Sequence, residues 1–411
     1  MTPETAAAYS LLTAEAVRAR AHRLLAIGLQ DKLPHFLIDT DRLTSLADLV
    51  LAVTREAYPT LDVPFHSRWR QFVFAGKDRW RTVADSSPWR DVAARARAEF
   101  DLVITSVFLD AGAGPRWRFN DAATGTDIGR SEGLALASLA MFVDGAFSGR
   151  LQERLRADAD RLRHITAADI ARGFQVTTAN PLVGLDGRAD LLRRLGEVVA
   201  AHTDVFARAD APRPGGLFDH LGALAINRSI AAPTILAELL HHFGRIWPSR
   251  LVLGGVPLGD CWRHPAMLTA DATNQLVPLH KLSQWLAYSL IEPMQRAGFT
   301  VTDIDGLTGL AEYRNGGLFI DSGVLVLRDL TLAIKPHEVG SPLVVEWRAL
   351  TVALLDELAQ VLRGHLDMDA ATLPLAKILE GGTWAAGRRI ACERRGDGSP
   401  PLQVVSDGTV F

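Results

Sequence analysis

Apolar residues recur at three and four residue spacing along much of the chain, which is the period of one face of an α-helix. Between Ala14 and Gly28 they fall at Ala14, Val17, Ala21, Leu24 and Leu25, with Thr13 placed to cap the first turn and glycine to end the last. The same period predicts helices over 132–162, 186–201, 233–243, 280–297 and 347–363. Runs compatible with β-structure, 102–109 and 318–327, are few and far apart. The pattern therefore predicts a mainly α protein with a few short strands.

Proline, glycine and charge cluster between these segments at 110–115, 209–216, 253–265, 306–317 and 394–401. None has the low complexity of a flexible linker, and no repeat of roughly 20 to 50 residues is visible. One compact helical unit spanning 1–411 is expected, with a soft lobe boundary near 210 that separates 1–210 from 211–393, and with 394–411 as a tail.

Composition narrows the function. With 48% hydrophobic and 22% charged residues, the 411-residue chain has ample material for a core. Its 44 Lys+Arg and 47 Asp+Glu leave a net charge of -3, so no global positive field exists to hold nucleic acid. The only cysteines, Cys261 and Cys392, exclude a disulfide scaffold and fit a reducing compartment. The longest nearly uninterrupted apolar run, 133–143, falls far short of the roughly 20 residues that cross a bilayer. The N-terminus lacks a basic segment ahead of an apolar core, so the expectation is a cytoplasmic protein without a membrane partner.

Phosphate-loop, dinucleotide-binding, HExxH and GxSxG signatures are all missing. Cys261 and His264, with His241 and His242 about twenty residues earlier, can be drawn as a metal site, but the spacing matches no familiar ligand pattern. Neither metal nor cofactor is expected. Lysine occurs only at positions 32, 77, 281, 335 and 377, which makes Lys281 conspicuous on a helical stripe with Gln284 and Tyr288. That stripe suits a cavity wall or a solvated face. In the 306–317 segment, Glu312, Tyr313 and Arg314 precede Asn315, Gly316 and Gly317, placing a carboxylate, a phenol and a guanidinium together where glycine allows unusual backbone angles. A local Glu312–Arg314 ion pair is the plain alternative. Glu346 and Arg348 are predicted at the start of the 347–363 helix, where Arg348 suits a bound phosphate or carboxylate and Glu346 complements the helix dipole. Asp110 emerges from an apolar run into a small-residue loop, and Arg130, Ser131 and Glu132 open another helix; each suits a pocket wall or an ordinary cap.

The segments RWRQF, SVFLDAGAG, GRSEGLALASLAMF, NPLVGLDGR, RPGGLFDHL, LGDCWRHP, HKLSQWL, LTGLAEYRNGGLFIDSGVL and VEWRALTVALLDEL resemble, in order, the uracil-catabolism protein family of bacteria and fungi. The resemblance covers nearly the whole chain and implies a role beside a cyclohydrolase-like enzyme that opens uracil nucleotides. A second resemblance is confined to the C-terminal part. There a KxxQ helix, LTxxAxYR and ExRA resemble the queuosine-nucleotide N-glycohydrolases, which implies a core like that of helix-hairpin-helix DNA glycosylases.

Transferred by position, this second resemblance implies Glu312 as the catalytic carboxylate. It further implies substrate contacts by Tyr313, Arg314, Lys281, Gln284, Arg348 and Glu346, with Asp110 as a further candidate from the residues themselves. Glutamate stands at 312 where that family has aspartate, and Asn315, Gly316 and Gly317 replace its Pro-Gln continuation. The implied reaction is cleavage between ribose C1′ and a urea nitrogen in ribosylurea or its phosphate, without cofactor. An amidohydrolase or lyase centred on Asp110 or on Cys261 and His264, and a non-catalytic partner of the ring-opening enzyme, remain open.

Overall fold

The computed structural model describes residues 1–110, 112–247 and 251–405. It is mainly α: helices carry the core, and the described strands are two or three residues long and form separate two-stranded ribbons. No described helix is long and apolar enough to cross a membrane.

Two long helices organise the rest. Val92–Phe108 is buried from Glu99 to Phe108 on every side, packed by the helices Arg130–Val143, Leu185–Ala201, Gly216–Leu224 and Lys281–Arg296. Complete burial explains why 102–109 reads as a strand, since a segment covered on every side has no polar face to mark a helical period. Pro342–Leu366 is the second, flanked by Ala14–Gly28, Leu43–Ala57 and Tyr313–Asp321. Thr13 caps Ala14–Gly28 as its sequence predicts, accepting from the Ala16 amide at 3.0 Å. One connected apolar core runs from Leu12 to Leu402 and crosses residue 210.

Several boundaries differ from the periodicity. The helix expected over 132–162 stops at Val143, where Gly145 takes φ 79°, and helix resumes only at Ala159–Arg163. The run 318–327 divides into the end of Tyr313–Asp321 and the strand Leu325–Leu327, which pairs antiparallel with Phe36–Ile38. Gly316 is required by contact rather than by backbone angle. A Cβ there would lie 2.7 Å from the Trp347 indole, whose Nε1 donates to the Gly316 carbonyl at 3.0 Å. The expected tail is anchored: Arg395 forks onto Asp321, Leu402 is buried, and Gln403–Val405 pairs in parallel with Pro336–Glu338. Residues 406–411 of that stretch lie outside the described residues.

Candidate active site

Glu312 is the N-cap of Tyr313–Asp321. Its two carboxylate oxygens accept from the Arg314 amide at 2.7 Å and the Asn315 amide at 2.6 Å. An acidic cap satisfies two of the amides that a helix start leaves free, so local physics alone places it. Burial distinguishes it from an ordinary cap, for Glu312 is only 9% exposed. Desolvation raises its pKa, while Lys281, the two capping amides and His66 act against that rise. The alternative of a local ion pair with Arg314 is not what forms: the Arg314 guanidinium lies over the Tyr313 ring at 4.9 Å and donates to the Gly398 carbonyl at 2.7 Å.

Lys281 opens the Lys281–Arg296 helix directly after His280, which is left-handed at φ 47°. Its backbone amide donates to Asp260 at 3.0 Å. The side-chain amine makes no hydrogen bond among the described residues, although Lys281 keeps part of its surface accessible. Burial lowers its pKa; Glu312 and then Asp110 oppose the drop. One amine thus stands within electrostatic reach of two buried carboxylates contributed by different elements.

Asp110 sits just past Val92–Phe108, held by the fully buried Arg68 at 2.7 Å and by the Ser131 hydroxyl at 3.4 Å. Desolvation raises its pKa against Arg68, Lys281 and Arg188. Arg68 also bonds Ser106 at 2.7 Å and Gln71, and lies over the Trp285 ring at 5.5 Å. Arg188, whose pKa burial depresses to about 10, clasps the carbonyls of Leu109 and Gly112 and so fixes the turn that carries Asp110.

A cleft of about 480 Å³ is lined by His66, Gln71, Arg118, Arg130, Glu132 and Arg388 among others, and adjoins this cluster through Gln71, which Arg68 bonds. Glu312, Asp110 and Lys281 do not form its wall. They lie behind it, coupled through His66 to Glu312 and through Gln71 and Arg68 to Asp110. Tyr313, largely buried with its phenol pKa raised by desolvation, is coupled to Arg130 and Glu132 of the wall. Arg130 takes φ 57° at the first position of its helix, uncommon for a side chain of that size. A larger cleft of about 890 Å³ on another face, which includes Arg79, Asp121 and Met141, contains none of the expected residues.

Three expected contacts are placed elsewhere. Arg348 is not in a first turn: the helix begins at Pro342, capped by Ser341, so no free amides adjoin the guanidinium. It forks instead onto Asp260 with both bonds at 2.8 Å and reaches the Ala311 carbonyl at 3.2 Å. Glu346 is likewise interior, accepting from the His35 and Phe36 amides at 3.2 and 3.0 Å and meeting His264 at 3.1 Å. Gln284 spends both ends of its amide on Thr308, at 2.6 and 3.2 Å. Arg348 and Gln284 brace the Glu312 loop through Ala311 and Thr308, whereas Glu346 holds the 35–36 backbone and His264. Asp260 ties that brace together, since it also accepts from Trp262 at 2.6 Å and its pKa is held down to about 2 despite burial, chiefly by Arg348.

The residues drawn as a Cys-His metal site disperse. Cys261 is buried in a strand with its thiol pKa pushed up by desolvation, and His264 is engaged by Glu346. His241 stacks on Tyr9 at 5.4 Å, whereas His242 meets Glu238. The sequence reading missed Arg68, His66, Asp260 and Arg188. Arg68, Arg188 and Asp260 fall inside segments that carry the family resemblance, but nothing local reveals what they face.

Fold and cleft together define a class: a mainly α protein with a buried carboxylate–amine centre behind a charged cleft. Residues 10–411 match the family described as "Protein of unknown function (DUF1688)", and the chain belongs to it. It is 35% identical over 409 residues to "Uracil catabolism protein 4" of Lachancea kluyveri, covering 92% of each chain. It is 36% identical over 424 residues to "Protein urg3" of Schizosaccharomyces pombe, covering 100% of each.

Proposed function

We propose that the chain is an N-glycohydrolase of uracil catabolism that cleaves the bond between ribose C1′ and a urea nitrogen, in ribosylurea or its phosphate. The observation that carries the reading is the Glu312 carboxylate, buried, doubly held by backbone amides and paired across space with an unbonded lysine amine. The pathway comes from the printed name of the Lachancea relative. The resemblance of the KxxQ, AEYR and ExRA segments to glycohydrolases supports the reaction.

In this reading the C1′–N bond breaks with its electron pair moving to urea nitrogen, and a water oxygen bonds to C1′. Glu312 stabilises the positive charge developing at the sugar and takes the proton that the water gives up. Lys281, made more acidic by burial, supplies the proton that urea needs to leave as a neutral molecule. Tyr313 and Asp110 border the reacting sugar. A phosphate lies outward in the cleft toward Arg130, while Arg348 and Gln284 hold the loop in place. Arg314, tied to Gly398, holds Tyr313 and the last turns of the chain together.

An amidohydrolase built on Cys261 and His264 finds no support in a buried strand thiol and an occupied imidazole. Incubating the purified chain with ribosylurea and with its 5′-phosphate, then measuring urea and free reducing sugar, tests the reading. Equimolar urea and sugar are expected. Ammonia without free sugar would place the reaction on the ureido chain, and no turnover except with the ring-opening enzyme present would make the chain its partner.

A further inference from the structure

Away from the cleft, the helices Gly216–Leu224 and Ala232–Phe243 bring together three side chains that no part of the proposed reaction uses. His220 Nε2 and His242 Nε2 both point at the same oxygen of Glu238, Oε2, at 2.6 and 3.2 Å. All three ligand-type atoms lie within 4.8 Å of one another. Glu238 and His242 are four residues apart on one helical face, and His220 comes from the neighbouring helix, so rigid elements supply every member. The two imidazole rings stand at 90° with centroids 5.3 Å apart, a crossing that directs their nitrogens to one point rather than stacking them.

We propose that His220, Glu238 and His242 form a binding site for a divalent first-row transition-metal ion of the zinc class, with water in the remaining position. Two neutral imidazoles and one carboxylate are a donor set suited to such an ion, and they leave a position open. Ligand bonds of about 2.0 to 2.2 Å in a tetrahedral set separate neighbouring donor atoms by about 3.3 Å. The 3.2 Å separation of His242 from Glu238 is already close to that value, and the 2.6 Å separation of His220 from Glu238 has to open by about 0.7 Å, a shift within reach of side-chain rotation, to seat the ion. The three residues are half-buried, which leaves a route for entry. An ion here links the helix that packs on Val92–Phe108 to the one that packs on Lys281–Arg296, and so stiffens the frame carrying Lys281.

The test uses the full chain, freed of metal by chelator and dialysis, and titrated with zinc(II) by calorimetry and with cobalt(II) by its visible absorption. One equivalent of zinc per chain, a raised melting temperature and a cobalt spectrum of low coordination number are expected. His220→Ala and Glu238→Gln each weaken zinc at least about tenfold, as loss of one of three ligands requires, while His241→Ala leaves the affinity unchanged. If either ligand variant misfolds by circular dichroism, His242→Gln replaces it. Absence of stoichiometric binding, or binding that survives His220→Ala and Glu238→Gln in folded protein, overturns the proposal.

Discussion

Replacing Glu312 with glutamine separates the two roles of this residue. The carboxylate serves as helix cap with both oxygens, at 2.7 and 2.6 Å. Glutamine offers one carbonyl oxygen and an amide that is itself a donor, so one backbone N–H loses its acceptor, a loss of about 1 kcal/mol on the scale of N-cap substitutions. Against a typical total of about 5 to 15 kcal/mol the fold survives. Turnover suffers more, because a neutral amide cannot match a carboxylate facing a developing cation. Removal of one preorganised electrostatic group is worth about 2.7 to 4 kcal/mol, or a fall of at least about a hundredfold in kcat. Urea release from ribosylurea measures the second effect and thermal unfolding the first. Glu312→Asp keeps charge and capping ability with one methylene less, so it retains part of the activity and nearly all of the stability.

The pH profile supplies an independent check. Activity requires the ionised carboxylate, whose pKa burial raises, so kcat falls on the acid side at a pH above that of an ordinary glutamate near 4.5. Near-normal kcat in a folded Glu312→Gln variant, with the acid limb unchanged, would refute the assignment and pass it to Asp110.

Lys281→Gln lowers kcat by about a hundredfold or more if the amine donates the leaving-group proton, and it shifts the alkaline limb of the profile, as pH-dependent steady-state kinetics will show. Asp260→Asn removes the carboxylate onto which the buried Arg348 guanidinium forks and destabilises the fold by about 3 to 5 kcal/mol by denaturant titration. In the unaltered protein the Asp260 carboxyl falls from an ordinary 3.8 to about 2 on folding, so it contributes about 2 kcal/mol that is present above pH ~4 and lost as the pH drops through 2. Arg130→Gln raises KM for the 5′-phosphate several-fold and leaves unphosphorylated ribosylurea nearly unaffected. Equal weakening of both substrates would show that Arg130 only shapes the cleft.

What the sequence determined by itself is what local physics controls. The Ala14–Gly28 helix, its Thr13 cap and the mainly α character follow from spacing and capping chemistry within one or two turns. The motif around Glu312 is legible for the same reason, since a carboxylate before a helix meets that helix's own amides. Burial removes the signal elsewhere: 102–109 is buried on all sides and reads as a strand, although it belongs to a central helix. Partner choice over long separations belongs to tertiary structure. Arg348 suits an anion or its near neighbour Glu346 on the sequence alone; in the fold Glu346 turns to His264 and the 35–36 amides, and the partner Arg348 takes, Asp260, lies 88 positions away. His220 and Glu238 meet only because two helices fold against each other, while His241, the immediate neighbour of His242, turns to Tyr9. Charge placed along a chain shows which groups need partners, and desolvation in the packed core decides which partners they receive.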